Sequence, residues 1–313
     1  MINRRKAVIV GAGFVGAAAA YALMLKGIFS ELVLIDANPA KAEGEAMDIS
    51  HGLPYSHPMD IHAGTYEECG DAYVIVITAG AAQKPGETRL DLIRKNSAIM
   101  RAIIGQIKAT PFEGILLIVA NPVDVLTHVA LKESGYPENR VFGSGTVLDT
   151  ARFKYEISRH LSVDARNVHG VIIGEHGDSE VSVWSITNIS GIPLNQFCEL
   201  RGHHDHEEGM RKIYENVRDS AYAIIQRKGA TYYGVAMAVT HICEVIVRDR
   251  KMMLPVSVEL DNTYGLSGLA LSIPSLVGKD GVEKVLELPL SADEKAKLYD
   301  SAKRLKEIID SLD

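Results

Sequence analysis

The stretch Ala7-Val8-Ile9-Val10-Gly11-Ala12-Gly13-Phe14-Val15-Gly16 lies near the start of the chain. Its first four residues form a continuous apolar run, which is typical of a parallel strand buried on both faces. The glycines that follow match the pattern GxGxxG and lead into an alanine-rich segment that predicts a helix from about Phe14 to Lys26. In this pattern the glycines permit a tight turn, a close approach of pyrophosphate to the backbone, and close helix–strand packing. The stretch therefore predicts a dinucleotide-binding unit that opens a parallel α/β sheet.

Asp36 makes the dinucleotide prediction more specific. It ends the second predicted strand, residues 32–35, and follows Gly16 by twenty residues. A carboxylate at this place can bind the ribose hydroxyls and repels a 2′-phosphate, and no arginine follows it directly. The sequence therefore favours NAD over NADP, although a glycine turn without a ligand would show the same GxGxxG pattern.

The rest of the first half repeats the alternation of strand and helix. The patterns predict strands at 72–78, 114–120 and 140–142, and helices from Pro39, over 89–108 and over 123–133. Strands that alternate with helices form a doubly wound parallel sheet with right-handed crossovers. We therefore predict an α/β fold with a Rossmann domain over residues 1–145.

The pattern changes after about residue 145. It predicts helices at 147–161, 207–228, 232–247 and 292–312, a short β segment at 168–173, and an antiparallel strand pair at 252–261 and 268–277. This mixture predicts an α+β substrate domain over residues 146–313. The sequence has no repeat, low-complexity tract or Pro/Gly/Ser-rich linker. We therefore expect the two halves to pack against each other rather than to be tethered.

Composition limits the classes of partner. The chain of 313 residues has a formal net charge of −7, which disfavours a polyanion such as nucleic acid. No apolar run approaches the length of a membrane span, and the first residues run directly into a strand, which leaves no room for a signal peptide. Cys69, Cys198 and Cys243 lack the spacing of a metal site or a disulfide framework. We expect a cytoplasmic protein that binds neither nucleic acid nor membrane.

Two short motifs in the second half carry the candidate chemistry: Leu148-Asp149-Thr150-Ala151-Arg152 and Gly174-Glu175-His176-Gly177-Asp178. An imidazole can shuttle a proton near neutral pH, and a buried carboxylate on its second nitrogen fixes its tautomer and raises its pKa. A guanidinium binds a carboxylate through two parallel hydrogen bonds. Together these groups suit hydride transfer to or from an α-keto or α-hydroxy acid. For any one of these residues alone, a core ion pair or an isolated histidine would be the better interpretation.

Two further segments follow predicted strand ends, where α/β sheets place ligands. In Asn121-Pro122-Val123-Asp124, the asparagine can hold a substrate oxygen or the nicotinamide region, and Pro122 can open a helix. Residues 79–89 contain two glycines and a proline. This composition fits a mobile lid in which Arg89 polarises a substrate carbonyl, and it fits a surface loop with solvated charges equally well.

The stretch His203-His204-Asp205-His206-Glu207-Glu208 contains side chains that could hold a metal ion. Their spacing does not place them on a consistent helical face. We therefore predict a polar loop and helix start here, and no metal site in the chain.

An ordered set of motifs extends over essentially the whole chain: GAGFVG, IDAN, TAGAAQKPGETRLDL, NPVDVLTH, GSGTVLDTAR, GEHGDS and KGATYYG. With these motifs in this order, the chain resembles the bacterial L-lactate dehydrogenases of the L-lactate/malate dehydrogenase family. The resemblance implies an NAD-dependent oxidoreductase in which NADH delivers hydride to pyruvate and His176 delivers the proton. It further implies that Asp149 orients His176 and that Arg152 binds the substrate carboxylate.

The resemblance also implies roles for residues outside these two motifs. Arg89 would be the lid arginine that polarises the carbonyl, Asn121 would hydrogen-bond the substrate oxygen, and Thr231 would line the substrate pocket. We assign cofactor contacts to the glycine turn and to the neighbouring strand ends, namely Gly11, Gly13, Phe14, Val15, Gly16, Asp36, Ala79, Gly80, Asn121 and Ser144.

Gln83 bears on the choice of substrate. It lies at the lid position where lactate dehydrogenases carry Gln and malate dehydrogenases carry Arg. A neutral Gln cannot pair the second carboxylate of oxaloacetate, whereas the methyl group of pyruvate would leave an Arg unpaired. Gln83 therefore predicts pyruvate and L-lactate as substrates. A malate or broader 2-hydroxy-acid dehydrogenase is the alternative, and a non-catalytic NAD-binding protein is disfavoured by the intact set of polar residues.

The resemblance finally implies regulation and assembly. In family members that fructose 1,6-bisphosphate activates, a histidine at the position of His169 is a phosphate ligand, and the second ligand is usually Arg where this chain has Lys154. Lysine keeps the charge but loses the fork geometry, so we expect weaker or altered activation. The family also implies a homotetramer.

Overall fold

The first half of the chain forms a parallel sheet. The computed structural model describes residues 2–82, 86 and 88–312. Within these residues the first half contains the strands β1 (Asn3–Val10), β2 (Glu31–Ile35), β3 (Asp60–Ala63), β4 (Ala72–Ile77), β5 (Ile115–Ile118) and β6 (Val141–Gly143). They lie in the order β3-β2-β1-β4-β5-β6, and all neighbouring pairs are parallel. This order is that of the Rossmann fold, so the predicted fold class is confirmed.

Helices connect these strands. They are α1 (Phe14–Lys26), α2 (Pro39–Ser50), α3 (Arg89–Lys108) and α4 (Val123–Ser134). The bounds of α1 and α3 agree with the sequence prediction. α1 ends at Gly27, which has a left-handed φ of 58°. α3 begins after Thr88, whose hydroxyl accepts the N–H of Asp91 while the Asp91 carboxylate accepts the N–H of Thr88. This capping box fixes the start of α3 and therefore the position of Arg89.

The second half is built from helices and short strands. The helices are α5 (Val147–Leu161), α6 (Leu194–Leu200), α7 (His206–Lys228), α8 (Tyr233–Val247) and α9 (Ala292–Asp310), and the short strands are β7 (Val168–His169), β8 (Ile172–Ile173), β9 (Val181–Ser182), β10 (Asn188–Ile189) and β11 (Ile192–Pro193). Short 3-10 helices cover Leu53–Tyr55, Tyr66–Asp71, Glu138–Arg140, Ala165–Asn167 and Trp184–Ile186.

The prediction of a single β segment over 168–173 was wrong. β7 pairs with β10, whereas β8 pairs with β9, so the two strands belong to different small sheets. Gly170 lies between them, and a Cβ at this residue would approach the Phe153 ring to 2.8 Å. The backbone is therefore packed directly against a core side chain at this point, and the chain changes partner strand there.

The predicted antiparallel pair is present, but it extends the first sheet. The pair is β12 (Met252–Glu259) and β13 (Ala270–Gly278), followed by β14 (Gly281–Val285). β12 pairs with β6 through Ser257 and Gly143, so the described residues form one nine-stranded sheet across both halves. A Cβ at Gly143 would lie 2.9 Å from the Cβ of Ser257, which explains why glycine is needed at this junction. The halves are therefore packed together, as expected from the lack of a linker.

Helix α5 lies beside a second, smaller core. Phe153 and Ile157 are fully buried there with Val168 and Ile172, and the Phe153 ring contacts Trp184 edge to face at 4.7 Å. Asp149 lies one turn before Phe153 on the same helix and is also buried. The apolar packing of α5 therefore fixes the direction of its first turn, which carries the candidate polar residues.

Two further predictions concern disulfide bonds and membrane-spanning helices. Cys69, Cys198 and Cys243 are buried free thiols, in agreement with the expectation of no disulfide framework. Among the described residues, no helix combines the length and the apolar character that a bilayer span requires.

Candidate active site

The glycine turn lies at the carboxyl edge of the parallel sheet, between β1 and α1. Gly11 has a φ of +107°, and a Cβ there would approach the backbone of Ala79 to 2.6 Å. A Cβ at Gly16 would lie 1.8 Å from the carbonyl oxygen of Gly11, whereas one at Gly13 would meet nothing within 4 Å. The first and third glycines are therefore needed for packing, and the second faces open space. This cradle, at the N-terminus of α1, fits the pyrophosphate of a dinucleotide.

Asp36 is held against this turn. Its Oδ2 accepts the N–H of Ala12 at 2.7 Å, and its Oδ1 accepts the N–H of Asn38 at 2.9 Å. The carboxylate therefore stands beside the glycine turn, where a ribose attached to the bound pyrophosphate would lie. The residues present fit NAD.

A cavity of about 690 Å³ extends from the glycine turn into the second half. The assigned residues that line it are Gly13, Phe14, Val15, Gly16, Gly80, Arg89, Asn121, His176 and Thr231. The other assigned residues that the structure describes do not line it, namely Gly11, Asp36, Ala79, Ser144, Asp149 and Arg152, although Asp149 contacts the lining residue His176 and Arg152 contacts Asp149. Gln83 lies outside the described residues.

His176, Asp149 and Arg152 are in direct contact. Nδ1 of His176 lies 2.5 Å from Oδ2 of Asp149, and Nη1 of Arg152 donates to Oδ1 of the same carboxylate at 2.9 Å. Asp149 and Arg152 are three residues apart on α5, which places them on one face of the helix. Because Asp149 holds Nδ1, Nε2 is the ring nitrogen left for a substrate.

The charges at this contact raise the proton affinity of the histidine. Burial disfavours the charged ring, but the negative charge and the hydrogen bond of Asp149 outweigh it and raise the pKa of His176 to about 9. Burial likewise opposes the charge of Asp149, yet His176 and Arg152 lower its pKa below the ordinary value. The imidazolium is therefore the form present at neutral pH, ready to donate a proton.

Asp124 is a site residue to which the sequence patterns assigned no role. Its Oδ2 accepts the backbone N–H of His176 at 2.7 Å, and its Oδ1 accepts the hydroxyls of Ser257 and Ser272 at 2.6 and 3.3 Å. Burial raises the pKa of Asp124 to about 6, although the hydrogen bonds from Ser257 and His176 favour its charged form. The sequence feature that could have indicated a role in the site is its position in the motif Asn121-Pro122-Val123-Asp124, which follows a predicted strand end.

Glu180 is another buried carboxyl near the histidine. Burial, reinforced by the negative charge of Asp149, raises the pKa of Glu180 to about 8. Among the described residues its buried Oε1 has no hydrogen-bond partner. Glu180 adds negative charge that favours protonated His176 only once it is deprotonated, above about pH 8.

Arg89 reaches the cavity from the first residue of α3. Its Nη2 donates to Oε1 of Glu175 at 3.1 Å, and its Nη1 lies 3.9 Å from Oδ2 of Asp178. The Arg89 side chain is 59% exposed, whereas that of Glu175 is 9% exposed. The guanidinium therefore lies at the open side of the cavity, next to the segment that carries His176.

Asn121 stands exposed on the cavity wall, and α4 begins directly after Pro122. The helix-start interpretation of this motif is confirmed, and the exposed Asn121 lies on the cavity wall, where a ligand can reach it. Asn96, which sequence patterns did not identify, donates to the Asn121 carbonyl at 2.8 Å and accepts the N–H of Ala81 at 2.8 Å. Asn96 therefore connects the segment that follows β4 to the Asn121 segment.

Thr231 brings the α7–α8 connection to the cavity. Helix α7 ends at Gly229 with a φ of +86°, and the ring of Tyr232 stacks on Phe14 at 5.3 Å. Because Phe14 belongs to the glycine turn, this stack holds Thr231 beside the cofactor cradle.

Comparisons with known proteins agree with this geometry. Residues 5–143 match the family model described as lactate/malate dehydrogenase, NAD binding domain, and residues 146–312 match lactate/malate dehydrogenase, alpha/beta C-terminal domain. The chain belongs to the lactate/malate dehydrogenase family. The resemblance found in the motifs is thus confirmed, and the protein is an NAD-dependent oxidoreductase.

Relatives and solved structures within the family match nearly the whole chain. An L-lactate dehydrogenase of Acetivibrio thermocellus is 51% identical over 309 residues, which cover 99% of this chain and 98% of the relative. One of Thermoanaerobacter pseudethanolicus is 52% identical over 305 residues, covering 97% and 98%. The structure of a minor L-lactate dehydrogenase from Enterococcus mundtii with ligands bound has a TM-score of 0.96 at 45% identity, covering 99% and 98%.

The two residues compared with the phosphate ligands of family members lie together in a different cavity. Lys154 and His169 both line a space of about 530 Å³, together with His241 and several methionines. Burial lowers the pKa of Lys154. The structure therefore brings this pair together, away from the cofactor cradle.

The polar stretch 203–208 forms a loop and the start of α7, as predicted. Asp205 accepts the N–H of Glu208 at 3.3 Å and caps the helix. Elsewhere in the described residues, one group could hold a metal ion, namely Glu31, His62 and Glu68. The Lys6 ammonium binds Glu31 and Glu68 at 3.0 and 2.9 Å, so a side-chain cation already satisfies these carboxylates.

Proposed function

We propose that the protein is an NAD-dependent L-lactate dehydrogenase that interconverts pyruvate and L-lactate. The observation that carries this proposal is the contact of His176 and Arg152 with the two oxygens of Asp149, beside a cavity that begins at a dinucleotide cradle. Asp149 thus holds both a proton donor, His176, and a carboxylate-binding group, Arg152. These two groups match the keto oxygen and the carboxylate of a 2-keto acid. The relatives named L-lactate dehydrogenase support the same choice.

His176 acts as the acid in pyruvate reduction and as the base in lactate oxidation. When bound, NADH supplies the hydride to the carbonyl carbon. Protonated His176 donates its Nε2 proton to the carbonyl oxygen, and Asp149 holds the ring and stabilises its charged form. In the reverse direction neutral His176 takes the hydroxyl proton of L-lactate.

Arginine and asparagine side chains orient the substrate. Arg152 uses one amino group on Asp149, and its other N–H donors bind the substrate carboxylate. Arg89 polarises the carbonyl, while Asn121 and Thr231 contact the substrate from the cavity wall. Gln83 excludes a second carboxylate and so favours pyruvate over oxaloacetate. A malate dehydrogenase is the alternative, and a comparison of kcat/KM for pyruvate and for oxaloacetate distinguishes the two.

The organisation of the protein follows from these roles. Residues 1–145 bind NAD and residues 146–313 carry the catalytic histidine and its partners. We place the protein in the cytoplasm as a homotetramer. Fructose 1,6-bisphosphate binds at Lys154 and His169, since both line one cavity, where the lysine ammonium and an imidazole N–H can donate hydrogen bonds to a phosphate.

Substituting His176 tests the mechanism directly. His176→Asn should lower kcat for pyruvate reduction by at least about 10²-fold, while the Kd for NADH changes little, because the imidazole acts on substrate. NADH binding is measured by fluorescence titration and turnover by NADH oxidation. A variant that loses NADH affinity instead would assign His176 a structural role.

A further inference from the structure

Glu175 connects the candidate acid to the candidate lid arginine. It directly precedes His176, and its Oε1 accepts a hydrogen bond from Nη2 of Arg89 at 3.1 Å. Glu175 is buried, whereas Arg89 is largely exposed. Glu175 is therefore the member of this ion pair whose position is fixed by packing, and the Arg89 side chain orients toward it.

A ring of hydrogen bonds fixes the Glu175 carboxylate. The Ser179 hydroxyl donates to Oε2 of Glu175 at 2.5 Å. Because that hydroxyl has one proton, the 2.9 Å contact between Ser179 and Ser301 is donated by Ser301. Ser301 in turn accepts the backbone N–H of Glu175 at 2.9 Å. Ser301 is fully buried on α9, so the C-terminal helix supports the orientation of Glu175.

We propose that Glu175 is a positioning residue that orients the guanidinium of Arg89 toward the substrate carbonyl above His176. The proposal rests on the proposed function, in which Arg89 polarises that carbonyl. A long exposed arginine side chain samples many rotamers, and a rigid carboxylate partner removes much of that freedom before substrate arrives. Since residues 175 and 176 are adjacent, the same short segment sets the positions of the polarising group and the proton donor.

Asp178 is a weaker partner of the same guanidinium. Its Oδ2 lies 3.9 Å from Nη1 of Arg89, beyond hydrogen-bond distance, and its side chain is 52% exposed. The Tyr222 hydroxyl donates to its other oxygen at 2.8 Å. An exposed pair of this kind contributes little, because water screens it. Of the two acidic partners among the described residues, Glu175 is therefore the one that determines the direction of Arg89.

The ion pair could instead only stabilise the fold, and a double-mutant cycle separates the two roles. We expect Glu175→Ala to lower kcat for pyruvate reduction by about 10- to 100-fold, because a misdirected guanidinium polarises the carbonyl poorly. The Kd for NADH should change by less than about twofold. Glu175→Gln should restore most of kcat, since its amide oxygen still accepts from Arg89. Glu207→Gln, an exposed carboxylate on α7, is the control and should behave as wild type.

In the Arg89→Gln background, Glu175→Ala should change kcat by less than about twofold, because the group that it positions is gone. Ser179→Ala keeps the carboxylate and frees Oε2, so it should give a smaller loss of kcat that also disappears in the Arg89→Gln background. It tests the proposal even if Glu175→Ala fails to fold. Equal losses in both backgrounds, or a lower Tm with unchanged kcat, would overturn the role of Glu175. Wild-type protein that reduces no 2-keto acid would overturn the proposed function and this role together.

Discussion

Asp124 and His176 are joined by a hydrogen bond of 2.7 Å, in which the backbone N–H of His176 donates to Oδ2 of Asp124. The other oxygen of Asp124 holds serines of β12 and β13. A carboxylate at the start of α4 thus connects the parallel sheet, its antiparallel extension and the histidine segment. Its negative charge also favours protonated His176.

Asp124→Ala should destabilise the protein by several kcal/mol, because three donors lose their acceptor and each unmet buried group costs about 1–3 kcal/mol. Asp124→Asn should fold, since its amide oxygen still accepts the His176 N–H and the serine hydroxyls can accept from its NH₂. Denaturant unfolding measures the first effect. For Asp124→Asn, the alkaline limb of the pyruvate rate profile should move to lower pH, and an unmoved limb would exclude an electrostatic role.

The pH dependence of turnover follows from the pKa of His176 of about 9. Pyruvate reduction needs the imidazolium, so kcat/KM for pyruvate should be flat up to about pH 9 and fall about tenfold per pH unit above it. Lactate oxidation needs the neutral ring, so its kcat/KM should rise toward that pH. Asp149→Asn should move both limbs toward the ordinary histidine pKa and lower kcat/KM by about 10²- to 10⁴-fold. Limbs centred near pH 6.5 in the wild type would contradict the coupling to Asp149.

The same shift predicts a pH dependence of folding stability. A histidine pKa that is higher in the folded than in the unfolded state stabilises the fold fully below the unfolded value of about 6.5. This contribution is lost as the pH rises through about 9. The free energy of unfolding, measured with urea at pH 6, 8 and 10, should decrease less with pH for His176→Asn than for the wild type. If this free energy depends on pH in the same way for both proteins, the folded and unfolded states bind the His176 proton equally.

Asp36 should decide between the two nicotinamide cofactors. It stands beside the glycine turn, where a carboxylate accepts ribose hydroxyls and repels a 2′-phosphate. We expect kcat/KM for NADH to exceed that for NADPH by at least about 10²-fold, since a charge-assisted hydrogen bond contributes about 1.5–3 kcal/mol and repulsion of the 2′-phosphate adds to it. Asp36→Asn should lower the ratio of kcat/KM for NADH to that for NADPH by about tenfold or more. Comparable values for the two cofactors in the wild type would refute the assignment.

Lys154 should govern the response to fructose 1,6-bisphosphate. The activator should lower KM for pyruvate in the wild type, and added salt should weaken the effect because lysine presents a single point charge. Lys154→Gln should mimic partial activation or abolish the response, and Lys154→Arg should strengthen it. Pyruvate saturation curves at low and high protein concentration provide the measurement. If fructose 1,6-bisphosphate leaves the saturation curve unchanged at both protein concentrations, Lys154 and His169 have only a structural role.

The sequence predicted the parts of the site that depend on local pattern. The glycine turn, Asp36, and the polar faces of α3 and α5 follow from strand runs, helix periodicity and short motifs. Asp149 and His176 were grouped by their chemistry, and the fold brings them together across 27 residues. Each of these predictions rests on residues within one or two elements.

Other parts depend on contacts between distant segments, which local patterns do not encode. The role of Asp124 requires Ser257 and Ser272, which follow it by 133 and 148 residues and reach it because β12 and β13 join the first sheet. Glu175 likewise requires Ser301 of α9, 126 residues away. The split of residues 168–173 depends on the packing of Gly170 against Phe153. Tertiary packing decides all three.

The most direct test of the account is the ratio of kcat/KM for pyruvate to that for oxaloacetate, measured by NADH oxidation. The wild type should favour pyruvate by orders of magnitude, since Gln83 offers no cation to the second carboxylate of oxaloacetate. Gln83→Arg should shift the ratio toward oxaloacetate by orders of magnitude, and Gln83→Asn serves as the neutral control. A ratio that Gln83→Arg leaves unchanged would show that Gln83 does not lie in the substrate pocket, and a wild type that prefers oxaloacetate would contradict the assignment as an L-lactate dehydrogenase.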